Sequence, residues 1–352
     1  MCTEDCCVLQ AGIDGDQSVV LWYQPYWDIV KQMLADTKAA PHMTYGFVPE
    51  HDPVTKERRY GGFCSAMWME AAMREALAKD PDVTVVAVLV GSDATSIKNR
   101  DGAHPAYASL GNLSLPFRRG DQGWVLSGFI PLLDVNSMDT AKKVDIKRRK
   151  RQLFNKAMYT MLESLIKIYE AGGEWVLCGD GITRKILPIV AMWITDRQEH
   201  ETVLQILAHI CFACYLPRRD WLNAKKCAGP QARAKSSQEI AEHTRTAMTT
   251  GVYGAHNESQ WQTQYTGAAA QRGEYNPKPI VTVDTVTGRA IINAKKRYLH
   301  CARVTGTFPD DNLLWKLPCV NLNQICRDDP LHQTVLGVMG HIFSAMMTAY
   351  TR

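Results

Sequence analysis

The chain lacks any long apolar run and any recognisable export signal. No stretch reaches about 18 consecutive apolar residues, the length that a helix needs to cross a bilayer. The opening residues, MCTEDCC, have neither the basic nor the apolar region of a secretion signal. We therefore expect no membrane span, and we expect the 11 cysteines to be reduced thiols, some of them candidate metal ligands, not a disulfide framework.

The glycine motifs of nucleotide-binding folds are also missing. The segment Gly91–Thr95, which follows an apolar run, has no G-x-G-x-x-G pattern, and this argues against a doubly wound dinucleotide-binding fold. The segment Gly179–Lys185 combines glycines with two cations but lacks the Walker spacing. Arg184 and Lys185 therefore stay candidates for phosphate contacts outside any known nucleotide loop.

The net charge of +4 is too small to demand a nucleic-acid partner, but the cations are unevenly placed. Lys142 and Lys143 are followed closely by the run Lys147, Arg148, Arg149, Lys150 and Arg151. One interpretation of this run is a solvated first part of a helix. The other is a patch that contacts phosphates.

With 352 residues, 46% of them hydrophobic, the chain can bury one large core or two ordinary ones.

Apolar periodicity predicts an alternation of helices and strands. Helical spacing covers residues 17–40 and Ala66 to Lys79, where Pro81 stops the helix. A long amphipathic helix is predicted from Lys142 to Tyr169, ended by Gly172-Gly173. The predicted strands are Val83 to Val90, Ala106 to Leu113, Trp124 to Pro131 and Glu174 to Cys178.

This order of elements predicts an RNase H-like α/β fold, a mixed sheet flanked by helices. In that fold the first and fourth strands are neighbours, so Asp93 and Asp180, each at the end of an apolar strand, are expected to meet. Paired carboxylates at strand ends are how proteins hold catalytic Mg²⁺. The competing interpretation is that both residues form ordinary turns.

The expected organisation has four parts. A helical lead-in covers residues 1–80 and the RNase H-like core covers 81–222. An insertion, which includes a helix from Gln238 to Met248, covers 223–299, and a returning segment covers 300–352.

Cys211 and Cys214 form a C-x-x-C pair, which is a candidate half of a zinc site. Zinc needs four tetrahedral ligands, so two further residues would have to complete it. The alternative is a buried thiol pair, since free cysteine is among the most buried residue types.

Several sequence blocks, in order, resemble the Plavaka-type transposases, which are CACTA-related cut-and-paste transposases of eukaryotes. The resemblance covers most of the chain from about Trp22 to His332, but not residues 223–299. The blocks are Val88–Thr95, Ala106–Leu113, Arg118-Arg119, Gly128–Pro131, Leu177–Gly181, Arg184-Lys185, Leu187–Ile189, Asp196–Glu199, Trp315–Pro318 and Asp329–Gln333.

The resemblance implies a DDE-type DNA transposase that uses Mg²⁺ or Mn²⁺, acts on transposon ends in the nucleus and forms homo-oligomers. It identifies Asp93 and Asp180 with the first two acidic residues. It also identifies Asp329 and His332 with the D-x-x-H element, so that His332 assists near the scissile strand.

The chain departs from the family pattern in two respects. It begins close to the family's pre-catalytic helices, so we expect no N-terminal zinc-finger module of the kind that larger relatives use to recognise transposon ends. No Asp or Glu follows Asp329, so the third carboxylate expected downstream is absent, and we expect an incomplete copy. Asp328 and Glu199, which lie upstream, are alternative sources of that carboxylate, and the spacing selects neither. Two other functions therefore compete with catalysis. One is an inactive DNA-binding module, and the other is an interaction fragment built on the apolar segment Val335 to Ala349.

Overall fold

A computed structural model describes residues 5–11, 17–96, 102–133, 143–207, 236–250, 281–283, 290–292 and 307–328. The chain divides into two units. The first contains Met1–Asp196, Lys316–Val320 and Ile325–Arg352, and the second contains Arg197–Trp315 and Asn321–Gln324. The second unit thus begins at Arg197, whereas the sequence predicts the end of the core near residue 222.

The first unit is built on an eight-stranded mixed sheet. Its strands are β1 (Asp5–Ala11), β2 (Gln17–Tyr23), β5 (Val83–Ser92), β8 (Pro105–Leu110), β9 (Val125–Phe129), β10 (Glu174–Leu177), β11 (Thr183–Thr195) and β14 (Cys326–Asp328). Among the described residues of the chain, three further antiparallel pairs of short strands lie outside this sheet. They are β3 (Glu50–His51) with β4 (Arg58–Arg59), β6 (Thr95–Ser96) with β7 (Gly102–Ala103), and β12 (Val281–Val283) with β13 (Ala290–Ile292).

The strand order across the sheet is β1-β2-β9-β8-β5-β11-β10, with β14 paired to β11. The central pair, β5 and β11, is parallel, and β14 also runs parallel to β11. Both central strands are nearly continuous apolar runs, the pattern expected of parallel strands that are covered on both faces. The other neighbours, β8, β9, β2, β1 and β10, are joined by antiparallel pairing.

Helices pack on both sides of this sheet, and one of the two sides is covered only over β5 and β11. On one face, Met69 and Ala76 of α2 (Met67–Lys79) pack against alternate apolar residues of β5 and β11. The other face carries α1 (Tyr26–Ala35) and the long helix α4 (Lys143–Glu170), whose apolar residues are buried. A one-turn helix, α3 (Leu115–Arg118), follows β8, and short 3-10 turns lie at Ala40–His42, Phe63–Ser65 and Leu313–Lys316.

The second unit contains α5 (Arg197–Val203) and α6 (Ser237–Thr250). Its described parts are joined by polar contacts: Asn312 Nδ2 donates to the Val203 carbonyl at 2.7 Å, and Arg245 forms a 2.7 Å ion pair with Asp311. A further short helix, α7 (Leu322–Ile325), leads directly into β14.

Most predicted elements of the core are present, with two corrections. Residues 17–40 are not one helical segment, because Gln17–Tyr23 is a strand and the helix starts at Tyr26. The strand that lies parallel beside the first one is not Glu174–Leu177 but the longer run Thr183–Thr195. The segment Glu174–Leu177 is its antiparallel hairpin partner.

Candidate active site at the carboxyl ends of two parallel strands

Strands β5 and β11 end together at one edge of the sheet. The last register pair is Gly91 with Ile194, and Asp93 and Asp196 each lie two residues beyond it. Both aspartates line one cleft with a volume of about 330 Å³. Asp93 is exposed and Asp196 is half-buried, so both carboxylates are placed in a site that solvent can enter.

The floor and wall of this cleft are largely apolar. Gly91, Tyr107 and Ile194 occupy equivalent positions on neighbouring strands, and Trp124 lies over Gly91. A Cβ atom at Gly91 would lie 3.2 Å from Trp124 Cζ3, closer than side chains usually approach. The glycine therefore allows the indole to pack directly on the strand.

A buried hydrogen bond ties the two strands together just before the carboxylates. Trp193 Nε1 donates to Ser92 Oγ at 2.9 Å, and both side chains are almost fully buried. Because Ser92 immediately precedes Asp93, and Trp193 lies three residues before Asp196, this bond restrains the backbone that presents both acids.

The structure does not bring Asp180 to Asp93. Asp180 lies in the tight turn between β10 and β11, where the Cys178 amide donates to the Ile182 carbonyl at 3.0 Å. The residues just after this turn pair with the beginning of β5, since Lys185 is opposite Val83. At about 3.3 Å per residue, Asp93 is then roughly 30 Å further along the strand. The expected approach of the Asp93 and Asp180 carboxylates is therefore wrong.

Asp180 instead forms an ion pair within its own hairpin. Arg184 donates two hydrogen bonds to its carboxylate, at 2.8 and 2.7 Å. These bonds hold the pKa of Asp180 below its ordinary value, and they raise the pKa of Arg184. The guanidinium also lies over the Tyr45 ring, 3.6 Å from its centroid. This arrangement favours a structural role for both charged residues.

The predicted phosphate contacts separate into two places. Arg184 and Lys185 lie at the hairpin end, where Lys185 is paired with Asp80 at 2.6 Å, so both are far from the cleft. The basic run Lys147–Arg151 lies in the first turns of α4. Phe154, one turn later, stacks on Trp193 with 6.3 Å between ring centroids, which places the start of α4 at the carboxylate end of the sheet.

Other predicted site residues fall outside the described part of the chain. These are Asp329 and His332 of the D-x-x-H element, and Cys211 and Cys214 of the candidate zinc pair. The backbone of Asp328 is described, and it pairs with that of Thr195 at the end of β14. Within the described residues, no group of three or more His, Cys, Asp or Glu side chains is arranged to hold a metal ion.

The sequence interpretation paired Asp93 with Asp180, because each follows an apolar strand. It therefore missed Asp196, the acid that the structure places in the candidate site. Two features of the sequence agree with the observed position of Asp196, although neither identifies the strand that pairs with β5. The apolar run before it is longer than Trp175–Cys178, and Asp180-Gly181 is a common hairpin-turn dipeptide that predicts antiparallel, not parallel, pairing of the two flanking strands.

The fold and the cleft define a mixed α/β protein whose candidate site lies beyond the carboxyl ends of parallel strands, the usual place for ligands in such sheets. A model of the Plavaka transposase family matches residues 10–344. The chain belongs to the Plavaka transposase family, as the sequence blocks predicted. A comparison with curated proteins gives no match.

Membership in a transposase family implies DNA binding and suggests a divalent metal cofactor in general. No helix in the described segments is long and apolar enough to cross a membrane.

Proposed function

We propose that this chain is the catalytic core of a DDE-type transposase, in which Asp93 and Asp196 are the first two metal-binding carboxylates. The observation that carries the proposal is their equivalent position, two residues beyond the last register pair of adjacent parallel strands and in one cleft. Asp196 thus takes the place that the sequence interpretation assigned to Asp180.

The strand order supports an RNase H-like core. Strands β9, β8 and β5 are joined antiparallel, and α4 then crosses the sheet. Strand β11 follows as a parallel strand beside β5, and β14 pairs in parallel with β11. The sequence predicts the same order of elements for an RNase H-like fold: three antiparallel strands, then a helix, then a parallel strand beside the first. In this alignment β11 is the fourth strand, and β10 is an addition at the edge.

The residues of the cleft fit a hard cation. Carboxylate oxygens are the ligands that Mg²⁺ and Mn²⁺ prefer, and Mg²⁺ is often held by one or two carboxylates together with substrate phosphates. When bound, such ions stabilise the attacking and leaving oxygens of a phosphodiester. Asp93 and Asp196 would hold them.

We propose Asp328 as the third acid. Its backbone lies at the end of the third parallel strand, opposite Thr195, so three strand ends at one sheet edge each carry an aspartate at or just beyond the last residue. An acid at this position would complete a set of three carboxylates. Asp329 and His332 of the D-x-x-H element follow Asp328 closely in the sequence.

The chain's own residues would perform two further tasks. The Trp193–Ser92 hydrogen bond keeps the two strand ends in register, so the carboxylates are positioned before substrate arrives. The cations at the start of α4, at the same end of the sheet, would bind DNA phosphates beside the cleft. Transposon ends are the proposed substrate, and the nucleus is the proposed location.

The competing proposal is an inactive DNA-binding remnant that keeps the fold and the basic run but does not cleave DNA. Strand cleavage separates the two. The purified chain is incubated with Mg²⁺ or Mn²⁺ and a labelled duplex that carries the element's ends. We expect cleavage that falls by at least about 10²–10³-fold in Asp93→Asn and Asp196→Asn, the scale for losing one electrostatic stabiliser.

Asp180→Asn is the matched control, because it removes the same charge at the other end of the sheet. It should keep cleavage activity within about threefold, the scale of a surface substitution. DNA binding without cleavage by the unaltered chain would support the remnant. Cleavage that depends on Asp180 and not on Asp196 would overturn the assignment.

A further inference from the structure

Large apolar side chains are exposed on three neighbouring strands of the sheet. Trp22 is 55% exposed and Phe129 is 47% exposed. Tyr107, which is 36% exposed, lies between these two residues and the cleft. Val20 and Leu126 accompany them at 47% and 41%. We call these five residues the aromatic face.

The strand register places all five on the same side of the sheet. Trp22 is paired with Phe129, and Tyr107 is paired with Leu126. Directly paired residues lie on one side of a sheet, as do residues two apart in a strand such as Val20 and Trp22. A bulge in β9 keeps Leu126 and Phe129 on this side although they are three residues apart.

The intervening residues point to the helices. The Ser127 hydroxyl lies 3.7 Å from Met161 Sδ of α4, and Leu21 is completely buried. The aromatic face is therefore the side of the sheet opposite α4. Exposed apolar area of this kind on a sheet marks a binding surface more often than an accident of folding.

The aromatic face is continuous with the proposed catalytic cleft. Tyr107 belongs to both, since it lines the cleft and is paired with Gly91 on the neighbouring strand. From β2 to β5 there are three strand spacings, which span roughly 14 Å at about 4.8 Å each. That distance accommodates about four stacked nucleotides at about 3.4 Å per step.

The composition of the strands indicates the chemistry of the occupant. The sequences of β2, β8 and β9, QSVVLWY, PAYASL and VLSGF, contain no charged residue. Such a surface offers nothing to a phosphate backbone or to a charged peptide. It does offer flat aromatic groups to bases, and base stacking on aromatic side chains does not depend on charge.

We propose that the aromatic face binds unpaired DNA bases next to the scissile phosphate, with Trp22 and Phe129 as the stacking residues and Tyr107 leading the strand into the cleft. This inference rests on the proposed function, because it assumes that the cleft acts on DNA. It adds a substrate class: a DNA end with an unpaired segment. Paired bases inside a duplex are already stacked on each other and cannot use this surface.

Binding measurements test the inference independently of catalysis. Fluorescence anisotropy compares a labelled duplex that carries an overhang of about four to six unpaired nucleotides with a blunt duplex of the same sequence. Trp22→Ala and Phe129→Ala should each weaken binding of the overhang substrate by roughly 5- to 150-fold, which corresponds to the loss of one stacked base. Binding of the blunt duplex should change by no more than about twofold, as for a surface substitution.

Trp175→Ala is the matched control, because Trp175 is 59% exposed on β10, outside the aromatic face. It should leave binding of both substrates unchanged. Three results would overturn the inference: equal losses for blunt and overhang DNA, no loss in either aromatic variant, or no binding of the overhang by the unaltered chain. If the aromatic variants instead change only the oligomeric state, the occupant of the face is a second copy of the chain.

The double variant Asp93→Asn with Asp196→Asn separates this inference from the proposed function. It should keep the preference for the overhang even if cleavage is never observed. Absence of cleavage by the unaltered chain, with the dependence of overhang binding on Trp22 and Phe129 retained, would reject the proposed chemistry alone.

Discussion

Trp193 Nε1 donates a 2.9 Å hydrogen bond to Ser92 Oγ in the interior of the sheet, and this bond joins the two strands that present Asp93 and Asp196. Ser92 immediately precedes Asp93, the first proposed metal ligand, and Trp193 lies three residues before Asp196, the second. The position of the carboxylates therefore depends on a contact that neither acid makes itself.

Trp193→Phe tests this dependence. The substitution keeps an aromatic ring against Phe154 but removes the donor, so we expect a loss of about 1–3 kcal/mol in the free energy of unfolding, measured with urea. DNA cleavage should fall as well, because the strand ends lose their restraint. A fully stable variant with unaltered cleavage would show that the hydrogen bond is dispensable.

Asp180→Asn should change the pH dependence of stability. The Arg184 ion pair lowers the pKa of Asp180, so its stabilising contribution is complete above the unfolded pKa of about 3.9 and is lost as the pH falls through the lower folded pKa. The variant should therefore unfold at lower urea concentration than the unaltered chain at pH 7. The difference should narrow in acid.

Asp82→Asn provides the comparison for this pH series, since Asp82 is an exposed aspartate outside the hairpin. Its urea midpoint should follow that of the unaltered chain at every pH. If the difference in urea midpoint between Asp180→Asn and the unaltered chain stays constant down to pH 2, that result would contradict the assigned ion pair.

Lys147→Glu with Lys150→Glu tests the basic run at the start of α4. Both side chains are exposed, and the run lies at the carboxylate end of the sheet. Each lost phosphate contact should reduce the slope of log affinity against log salt by about 0.9 for duplex DNA. Lys167→Glu, at the other end of the same helix, is the control and should leave the slope unchanged. If Lys167→Glu reduces the slope as much as the double variant does, the effect is one of nonspecific charge.

Two buried asparagines should respond oppositely to replacement by leucine. Asn155 is 2% exposed, and neither of its amide atoms has a hydrogen-bond partner among the described residues, so Asn155→Leu should stabilise the chain by about 1–2 kcal/mol. Asn112 accepts from the Ala87 amide at 2.8 Å and donates to the Thr44 carbonyl at 2.9 Å. Asn112→Leu should destabilise it by about 3 kcal/mol.

Urea unfolding of the two leucine variants, side by side, makes this comparison. Destabilisation by Asn155→Leu would mean that the amide has a partner in solution. That result would point to an interaction of α4 with a group other than the described residues.

Local pattern was enough to predict the central elements. The apolar run from Val83, the long helix α4 and the strand Glu174–Leu177 were each expected within a few residues of their observed bounds. These elements depend on propensity and periodicity, which act over short distances along the chain. The family, too, could be identified from blocks of sequence, and the match over residues 10–344 confirms it.

The partner of the first strand was not predictable in the same way. Both Glu174–Leu177 and Thr183–Thr195 are apolar, and either could lie beside β5. The Asp180-Gly181 turn, where Gly181 has φ +81°, joins them as an antiparallel hairpin, so only one of the two can run parallel to β5. The longer strand covers more of the face that α2 packs against, and it takes that place.

The sequence by itself therefore determined that an aspartate follows the first buried strand, that a basic helix crosses the sheet, and which family the chain belongs to. Tertiary structure alone decided that Asp196, and not Asp180, shares the cleft with Asp93. The physical reason is that strand pairing is a long-range choice, made by hydrogen bonds and packing between segments about a hundred residues apart. The proposal that Asp196 is the second carboxylate follows from that choice.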